Sequence, residues 1–344
     1  MPDMVEALTQ EIFLRKEYVK EPIESIYFGG GTPSLLTEQQ LENILAKIHQ
    51  HFSVLDNAEI TLEANPDDIS TERLKDWKKL GINRFSLGVQ SFYEEDLQWM
   101  HRAHDAHQAS ESIRMVQDAG FSNITIDLIY GTPTLSDAHW EKNVQKAIAL
   151  DIPHLSCYAL TVEPGTALDN MIRKHQKEDV DTDRQARHFE QLMSWARAAG
   201  YDHYEVSNFG KPGFHSRHNS SYWQGENYLG IGPSAHSFNG ESRQWNIANN
   251  SQYTRSIQQG NLPFEIEHLT PHQQLEEYIM TSLRTMEGLS LSHVCQHWNT
   301  KEMQRILDAS APYLLSEKME HKNDRLILTD KGFLFADGIA ADLF

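Results

Sequence analysis

Apolar and β-branched residues occur in short runs along the chain, and the segments between these runs place their apolar residues at helical spacing. Six runs predict strands, and they fall near residues 23–28, 58–63, 83–88, 123–128, 153–159 and 202–207. Strand and helix alternate at intervals of about 30 to 40 residues, which is typical of parallel βα units. The pattern therefore predicts an α/β domain built around a parallel sheet.

Capping residues locate the ends of several predicted helices. Thr37 and Gln40 have the spacing of a capping box, at the start of a helix that runs to about His51. Ser70 or Thr71 caps the next helix. Glycine readily adopts the left-handed conformation that ends a helix. Three glycines are expected to do so: Gly81, Gly120 and Gly200.

The N-terminal segment has a helical pattern, with Val5, Leu8, Ile12 and Leu14 largely on one face. A βα array that opens with a helix has two interpretations. Either a strand and loop that should precede the helix are missing, or a natural N-terminal helix covers one end of a barrel.

The pattern changes after Gly210. Residues 211–262 are rich in Gly, Asn, Ser and His and have little periodicity, which we interpret as a long, structured segment that faces a ligand. Helical patterns resume over residues 271–286, 290–298 and 301–316, followed by a β-like segment at 326–329. Three helices and a β wing indicate a small winged-helix-like module. The predicted parts are an α/β domain over 1–210, a connecting excursion over 211–265 and the helical module over 266–344.

Composition narrows the classes of protein. The 344 residues are 39% apolar, which suits a soluble globular core rather than a disordered chain. A formal net charge of −19 opposes binding to nucleic acid or to an anionic membrane, because its field repels phosphate. No apolar run is long enough to span a bilayer, and the first residues lack the features of a signal peptide. The two cysteines, Cys157 and Cys295, cannot staple a fold of this size, so a reducing, cytoplasmic setting is expected.

Turns or polar residues occur at six successive ends of the predicted strands, and the strand ends form the functional face of a parallel βα barrel. They are the Gly29–Gly31 turn, Glu63, Gln90, Asp127, the Tyr158–Ala159 step and Glu205. One such residue alone is more often a helix cap or a solvated loop end, but six in succession favour a common ligand site. The three glycines allow the backbone to approach that ligand without an intervening Cβ, although a triglycine by itself is a weak signal.

Five short motifs occur in order along the chain. They are GGGTPS from Gly29, EANP from Glu63, SLGVQSF from Ser86, IDLIYGTP from Ile126 and EPGT from Glu163. In this order they closely resemble the radical S-adenosylmethionine (SAM) proteins of the oxygen-independent coproporphyrinogen III oxidase group, over essentially the whole chain. The resemblance implies a partial TIM barrel of parallel βα units, with the small winged-helix-like domain at the C-terminus.

The resemblance implies two cofactors. In the family, a Cys-x3-Cys-x2-Cys loop holds a [4Fe–4S] cluster, and SAM chelates its fourth iron and is cleaved to a 5′-deoxyadenosyl radical. Eight residues match the family's SAM contacts: Gly30, Gly31, Thr32, Glu63, Gln90, Arg102, Asp127 and Ala159. Carboxylates and an amide suit the ribose hydroxyls and ammonium of SAM, and an arginine suits its carboxylate. A surface salt bridge is the alternative for Arg102.

The chain departs from the family at the cluster. It contains no Cys-x3-Cys-x2-Cys sequence, Cys157 falls in an apolar strand, and Cys295 lies in a C-terminal helical pattern. An iron–sulfur cubane needs several converging thiolates. We therefore expect an N-terminally truncated member of the family with no metal-ligating and no catalytic residues, weak SAM binding and no SAM cleavage.

A second constellation, Arg217-His218-Asn219-Ser220-Ser221-Tyr222-Trp223, lies in the connecting excursion. It matches the His-Asn-x-x-Tyr-Trp pattern of the haem-binding branch of the group. The resemblance implies that His218 ligates haem iron and that Tyr222 and Trp223 stack on the macrocycle, in a site that includes Asn219. The alternative is an exposed loop whose aromatic residues plug the barrel mouth.

Two features near this motif bear on the same site. Arg217 and Lys211 are basic, and in a haem site they would meet the propionates. The segment Gly230–His236 is either a backbone turn that faces SAM or haem, or simply a turn.

Three functions are compatible with these motifs. The resemblance implies a haem-chaperone-like protein whose partners are haem and an unidentified haem-acceptor protein. The alternative is an enzyme of porphyrin biosynthesis similar to oxygen-independent coproporphyrinogen III oxidase, and a third possibility is a bare α/β binding scaffold with neither cofactor. The motif around His218 favours the first, the missing cysteines disfavour the second, and tight haem binding would exclude the third.

Overall fold

The computed structural model of the chain describes residues 2–344. Its main sheet has seven strands: β1 (Ile23–Phe28), β2 (Val54–Ala64), β3 (Arg84–Gln90), β4 (Ile124–Tyr130), β5 (His154–Ala159), β6 (Asp202–Glu205) and β7 (Asn208–Gly210). They are hydrogen-bonded in the order β1-β2-β3-β4-β5-β7-β6, and β1 to β5 are parallel. The sheet curls into a half-barrel, so the predicted partial barrel is confirmed.

Helices precede or separate these strands as the pattern predicts. They are α1 (Pro2–Leu14), α2 (Glu38–His51), α3 (Thr71–Lys79), α4 (Glu94–Trp99), α5 (Ala106–Asp118), α6 (Asp137–Ala149), α7 (Ala167–Arg173) and α8 (Thr182–Ala198). Thr37 and Gln40 form the reciprocal capping box at the start of α2, and the Ser70 side chain caps α3. The three predicted stop glycines, Gly81, Gly120 and Gly200, all have positive φ. These local predictions are confirmed.

The outer face of the parallel sheet carries the hydrophobic core. Leu62, Phe85 and Ile126 are fully buried there, and they belong to one apolar cluster with Trp77 of α3 and Ile113 of α5. Burial of this face stabilises the fold by roughly 25 cal/mol for each Å² of apolar surface removed from water.

The inner face of the same strands is polar. Alternate positions along β1 to β5 place hydroxyl, carboxyl, imidazole and guanidinium groups inside the half-barrel: Ser25, Tyr27, Glu59, Glu63, Arg84, Ser86, Thr125, Asp127, His154 and Ser156. In most βα barrels, bulky branched side chains fill this space. A polar interior leaves room for a cavity that can hold a polar ligand.

The sixth predicted strand differs from the observed one. β6 ends at Glu205, and the chain turns and returns as β7, which pairs antiparallel with both β5 and β6. The Glu205 carboxylate is buried in this hairpin and accepts a hydrogen bond from Asn208. Glu205 does not line the cavity described below, so its role as a strand-end ligand residue stays a prediction. A run of strand-forming residues does not reveal whether the chain continues or folds back.

The excursion after Gly210 contains more regular structure than its pattern predicts. Its elements are α9 (Arg217–Trp223), β8 (His236–Phe238), β9 (Ser242–Asn246) and α10 (Asn250–Gln258), followed by β10 (Phe264–His268). The three strands form an antiparallel sheet in the order β10-β9-β8. Each has five residues or fewer, which is too short to show a clear period in the sequence.

The C-terminal module has the three predicted helices and a small sheet. Its elements are α11 (Pro271–Leu283), β11 (Leu289–Ser290), α12 (Leu291–His297), α13 (Thr300–Leu315), β12 (Met319–Lys322), β13 (Arg325–Leu328), α14 (Asp330–Phe333) and α15 (Ala336–Asp342). Leu283 and Ile306 of this module belong to the same apolar cluster as the barrel, and the division into three domains stays a prediction. No helix within residues 2–344 has both the length and the apolar character needed to cross a membrane.

A buried polar network joins α1 to the excursion. Glu11 and Arg15 form an ion pair at 2.9 Å, and both side chains are almost completely buried. The Glu11 carboxylate also accepts hydrogen bonds from the Tyr253 hydroxyl at 2.5 Å, the Gly232 N–H at 2.8 Å and the Asn246 amide at 2.7 Å. Because each of these donors depends on Glu11, the network holds α1 in one position against β9 and α10.

Candidate functional site

A cavity of about 240 Å³ lies inside the half-barrel, and we call it the barrel cavity. Its walls come from the inner face of β1 to β5 and from the start of α9. The lining residues are Tyr27, Glu63, Arg84, Ser86, Thr125, Asp127, Ser156, Tyr158, Ser216 and Asn219. Two predicted SAM contacts, Glu63 and Asp127, therefore line the same cavity as Asn219, which belongs to the predicted haem motif.

The triglycine turn follows β1 directly and is tied to Glu63. Gly30 and Gly31 have φ values of +73° and +62°, which residues with a side chain rarely adopt. A Cβ on either glycine would meet no atom within 4 Å, so the turn borders open space. The Gly30 N–H donates to Glu63 Oε2 at 3.2 Å, and the Tyr27 hydroxyl donates to Oε1 at 2.7 Å. The turn thus presents backbone groups and one carboxylate to a space that a ligand can fill.

Gln90, Arg102 and Asn65 converge on Gly88. A Cβ on Gly88 would lie within 3.4 Å of all three side chains, so only glycine leaves room for them. Arg102 Nη2 donates to Asn65 Oδ1 at 2.6 Å. This partner is an amide of the same cluster, so the surface-salt-bridge alternative for Arg102 is wrong. The Arg102 Nε is buried with no hydrogen-bond partner among the described residues, so one donor of this guanidinium is unsatisfied.

Asp127 lines the barrel cavity from β4. Its carboxylate accepts a hydrogen bond from Ser86 Oγ on β3 at 3.3 Å. Burial, and then the negative charge of Glu63, raise the pKa of Asp127 to about 7. The carboxyl is therefore close to half-protonated at neutral pH, and a ligand that donates hydrogen bonds to it favours the ionised form.

The remaining predicted SAM contacts lie at the same edge of the sheet. Ala159 ends β5 and pairs with Tyr130 at the end of β4. Gln90 ends β3 with φ of +65°, and Thr32 closes the triglycine turn without using its side chain to cap the short helical turn that follows. The structure thus brings these predicted SAM contacts to one edge of the sheet, and Arg102 joins them from the loop after α4.

The predicted haem motif forms the helix α9, which packs against β1. Its N-terminus is capped from two sides. The Ser216 hydroxyl accepts from the Asn219 N–H, and the buried Glu59 carboxylate of β2 accepts from the N–H groups of Arg217 and His218, each at 3.2 Å. These bonds orient the first turn of α9 at the barrel, so the alternative of an exposed loop is wrong.

The His218 ring is held against β1. It stacks on Tyr27 with ring centroids 4.5 Å apart and planes inclined by 15°, and its Nδ1 lies 3.3 Å from Ser25 Oγ. Burial, and then the charge of Arg84, lower the pKa of His218 to about 4, so the ring is neutral at pH 7. Its Nε2 has no hydrogen-bond partner within residues 2–344. A neutral imidazole with one nitrogen oriented by an oxygen and the other available is the form that ligates a metal.

The aromatic residues of α9 have different surroundings. Tyr222 is 39% exposed and meets the His218 ring edge-on, with centroids 5.0 Å apart. Trp223 is half-buried, and the Arg284 guanidinium of the C-terminal module lies 5.7 Å from its ring centroid. In this structure Tyr222 is the more accessible surface for a flat ligand.

The two basic residues expected at haem propionates have protein partners. Lys211 forms an ion pair with Asp151, and Arg217 Nη1 donates to the Asn57 carbonyl at 2.9 Å. Contact with a propionate would require either side chain to exchange its partner, so the expectation for these residues stays a prediction.

The segment Gly230–His236 is anchored to the N-terminal helix. The Gly232 N–H donates to Glu11, and the Gly232 carbonyl accepts from Asn246 at 2.8 Å. A Cβ on Gly230 would lie 2.2 Å from the His236 carbonyl oxygen, so the segment folds tightly on itself. None of its residues lines the barrel cavity. Of the interpretations given above, these contacts favour a simple structural turn.

The residues present do not fit a [4Fe–4S] cluster. Cys157 is buried on β5, where burial raises the pKa of its thiol, and Cys295 lies on α12. A cubane is held by at least three converging thiolates, and this chain has two separate thiols. Within residues 2–344, no three or more His, Cys, Asp or Glu side chains are grouped so that they could hold a metal ion.

Several residues of the site lie outside the sequence motifs described above. They are Ser25, Tyr27, Glu59 and Arg84. The signal that identifies them is the alternation of polar and apolar residues along parallel strands. Strands of a parallel sheet are usually apolar on both faces, so a polar residue at every second position indicates that one face of this sheet is polar.

Comparison with known proteins finds relatives along nearly the whole chain. The profile of the Radical SAM superfamily matches residues 3–147, and that of the HemN C-terminal domain matches residues 269–335. "Heme chaperone HemW" of Bacillus subtilis is 33% identical over 345 residues, which cover 98% of this chain and 90% of that protein. The protein of the same name from Mycobacterium tuberculosis H37Rv is 34% identical over 339 residues, covering 98% and 85%.

A solved structure shows the same fold. Coproporphyrinogen III oxidase (HemN) from Escherichia coli, described as a radical SAM enzyme, superimposes with a TM-score of 0.84 over 99% of this chain and 82% of that chain. The two sequences are 22% identical, so this likeness supports the architecture and not a shared reaction.

Proposed function

We propose that this chain, which belongs to the HemW family of radical SAM proteins, binds haem through His218 and delivers it to an acceptor protein. The observation that carries the proposal is the state of the His218 ring. It is neutral, it is oriented by Ser25 and Tyr27, and its Nε2 has no partner within residues 2–344. The "Heme chaperone HemW" relatives carry the function in their name, which supports the same assignment here.

The surroundings of His218 suit a macrocycle. Tyr222 offers an exposed aromatic face beside the imidazole, and Trp223 follows on the same helix. Aromatic side chains gain free energy both from buried area and from stacking geometry. The Asn219 side chain lines the adjacent barrel cavity, where it can donate a hydrogen bond to a ligand group.

Titration of the purified chain with haemin tests the proposed function. We expect a sharpened Soret band that saturates at one haem per chain. Trp223→Ala is expected to weaken binding by about 1–3 kcal/mol through lost contact area, with little change in the position of the band. Phe335, which is 50% exposed in the C-terminal module, provides a matched control, and Phe335→Ala should leave binding unchanged. A titration that shows no saturable Soret change would reject the proposal.

We further propose that the strand-end residues bind SAM. Glu63 and Asp127 would accept hydrogen bonds from its ammonium and ribose hydroxyls, and the unpartnered Nε of Arg102 would meet its carboxylate. In the family, SAM supplies radical chemistry when a cluster is bound beside it. The cysteines of this chain do not fit that cluster, so the amino acid end of SAM has no iron to chelate. We therefore expect a dissociation constant weaker than about 0.1 mM.

The affinity for adenosine is expected to rise between about pH 6 and pH 8, because the ribose hydroxyls need ionised Asp127 as an acceptor. The raised pKa of about 7 places this ionisation inside the range. Below that pKa, the dissociation constant should increase by up to about tenfold for each pH unit. Adenosine is the probe because it lacks the α-amino group of the methionine part of SAM, whose own titration falls in a similar pH range. Titration by saturation-transfer NMR measures the slope, and an unchanged slope in Asp127→Asn would contradict the assignment.

The cysteines and the net charge bear on the cellular setting that we propose. Both cysteines are unpaired, which fits a reducing compartment such as the cytoplasm. The net charge of −19 disfavours nucleic acid as a partner, and the acceptor is expected to be a protein that uses haem.

A further inference from the structure

We propose that Tyr27 couples the two ligand sites, so that occupancy of the strand-end carboxylate Glu63 changes the affinity of His218 for haem. This inference rests on the proposed haem function. No motif includes Tyr27, yet its hydroxyl contacts Glu63 and its ring contacts His218. Its role is that of a positioning residue, since it acts on haem through the imidazole.

The first contact is the hydrogen bond from the Tyr27 hydroxyl to Glu63 Oε1, at 2.7 Å. Burial and the charge of Glu63 raise the pKa of Tyr27, so the phenol keeps its proton and remains a donor. The other carboxylate oxygen accepts from the Gly30 N–H. A ligand that binds at the triglycine turn therefore meets the same carboxylate that holds Tyr27.

The second contact is the stack of the Tyr27 ring on the His218 imidazole. Ser25 lies two residues earlier on β1, on the same face of the strand, and its hydroxyl is 3.3 Å from His218 Nδ1. The plane of the imidazole is thus defined by two neighbouring positions of one strand. A shift of the Tyr27 ring changes the direction in which His218 Nε2 points.

Gly29 shows that the fit around Tyr27 is tight. A Cβ at this position would lie 2.5 Å from the Tyr27 ring and 2.9 Å from Glu63 Oε1. The ring and the carboxylate therefore occupy the space beside the glycine backbone, and neither can move independently of the turn. Close packing of this kind transmits a displacement instead of absorbing it.

The coupling has a definite sign. A carboxylate offers about four lone-pair positions, and two of those on Glu63 are used by Tyr27 and Gly30. SAM can donate to the remaining positions, which fixes Glu63, Tyr27 and hence the imidazole in their present orientation. Haem binding to the ordered site then costs less conformational entropy. SAM is expected to tighten haem binding by at least about fivefold, and haem must tighten SAM binding by the same factor.

The experiment is haemin titration of the full chain with and without saturating SAM, followed by the Soret band. Tyr27→Phe keeps the ring stacked on His218 but removes the hydroxyl, so haem should still bind and the effect of SAM should disappear. Tyr27→Leu removes both contacts and should also weaken haem binding without SAM. Tyr93→Phe is the matched control. Tyr93 stacks on His139 with ring centroids 3.9 Å apart, and it does not line the barrel cavity. It should behave as the wild type.

A double-mutant cycle on Glu63 and Tyr27 measures, in the absence of SAM, how the two residues together affect haem binding. Glu63→Ala is expected to weaken haem binding by about fivefold in the wild type, and to have no effect in the Tyr27→Phe background. Equal effects of Glu63→Ala in both backgrounds would overturn the coupling, as would haem affinity that does not respond to SAM. Failure of the wild type to bind haem at all would instead reject the proposed function.

Discussion

His218→Ala is expected to raise the dissociation constant for haem by about 100-fold, equivalent to about 2.7 kcal/mol. The substitution removes the nitrogen that the structure leaves without a partner, together with the imidazole face that Tyr27 and Tyr222 support. Loss of an axial ligand should also shift the Soret band. Absorbance titration with haemin measures both changes. Because the pKa of His218 is about 4, the wild-type complex should persist as the pH falls to about 5.

Other histidines provide the controls. His175 is on the surface outside the site, and His175→Ala should change neither affinity nor spectrum. His215 is already engaged by Asp202 and stacks on Tyr204, whereas His236 is exposed and is the strongest rival ligand. If His236→Ala abolishes haem binding and His218→Ala does not, the protein binds haem as proposed but His218 is not the iron ligand. If neither change matters, the proposed haem site loses its support.

Glu11→Ala is expected to lower the free energy of unfolding by about 3–5 kcal/mol, the cost of leaving a buried charge without its partner. The substitution leaves the buried guanidinium of Arg15 without its anionic partner. It also removes the acceptor used by the Tyr253 hydroxyl, the Asn246 amide and the Gly232 N–H. Equilibrium urea denaturation, followed by circular dichroism and tryptophan fluorescence, measures the change.

An exposed ion pair of the same type serves as the control. Glu111 and Arg114 are 2.6 Å apart on α5, where the Arg114 side chain is exposed and the Glu111 side chain is partly exposed. Glu111→Ala should cost less than about 1 kcal/mol, because water screens such a pair. Equal losses from the two substitutions would show that the Glu11 network does not stabilise the fold as argued. Haem affinity of the folded Glu11→Ala chain should be retained, since none of the hydrogen-bond partners of Glu11 belongs to α9.

Features that depend on a few neighbouring residues were predicted correctly. The capping box at Thr37 and Gln40, and the glycine stops such as Gly81, involve groups within one or two turns of each other. The triglycine turn after β1 is local in the same sense. The motifs that resemble the radical SAM proteins are also short, and the relatives at 33–34% identity confirm the family.

The polar interior of the barrel is visible in the sequence as an alternation of polar and apolar residues along the strands. In Glu59-Ile60-Thr61-Leu62-Glu63, every second residue is polar, and the structure points these residues inward. The composition of this run predicts a strand, because β-branched and apolar residues are frequent in it. Alternation identifies the two faces of a strand, but it does not say which face turns toward a cavity.

The βα order, the helix ends and the family could be predicted from the sequence, because each depends on local propensity or on short motifs. Contacts between distant residues became visible only in the folded chain. Ser25 and His218 are 193 positions apart, and their contact requires the curl of the sheet and the packing of α9 against β1. The β6–β7 hairpin, which buries Glu205, likewise depends on pairing with β5. Such contacts arise from the packing of whole elements, and no single segment encodes the position of its partner.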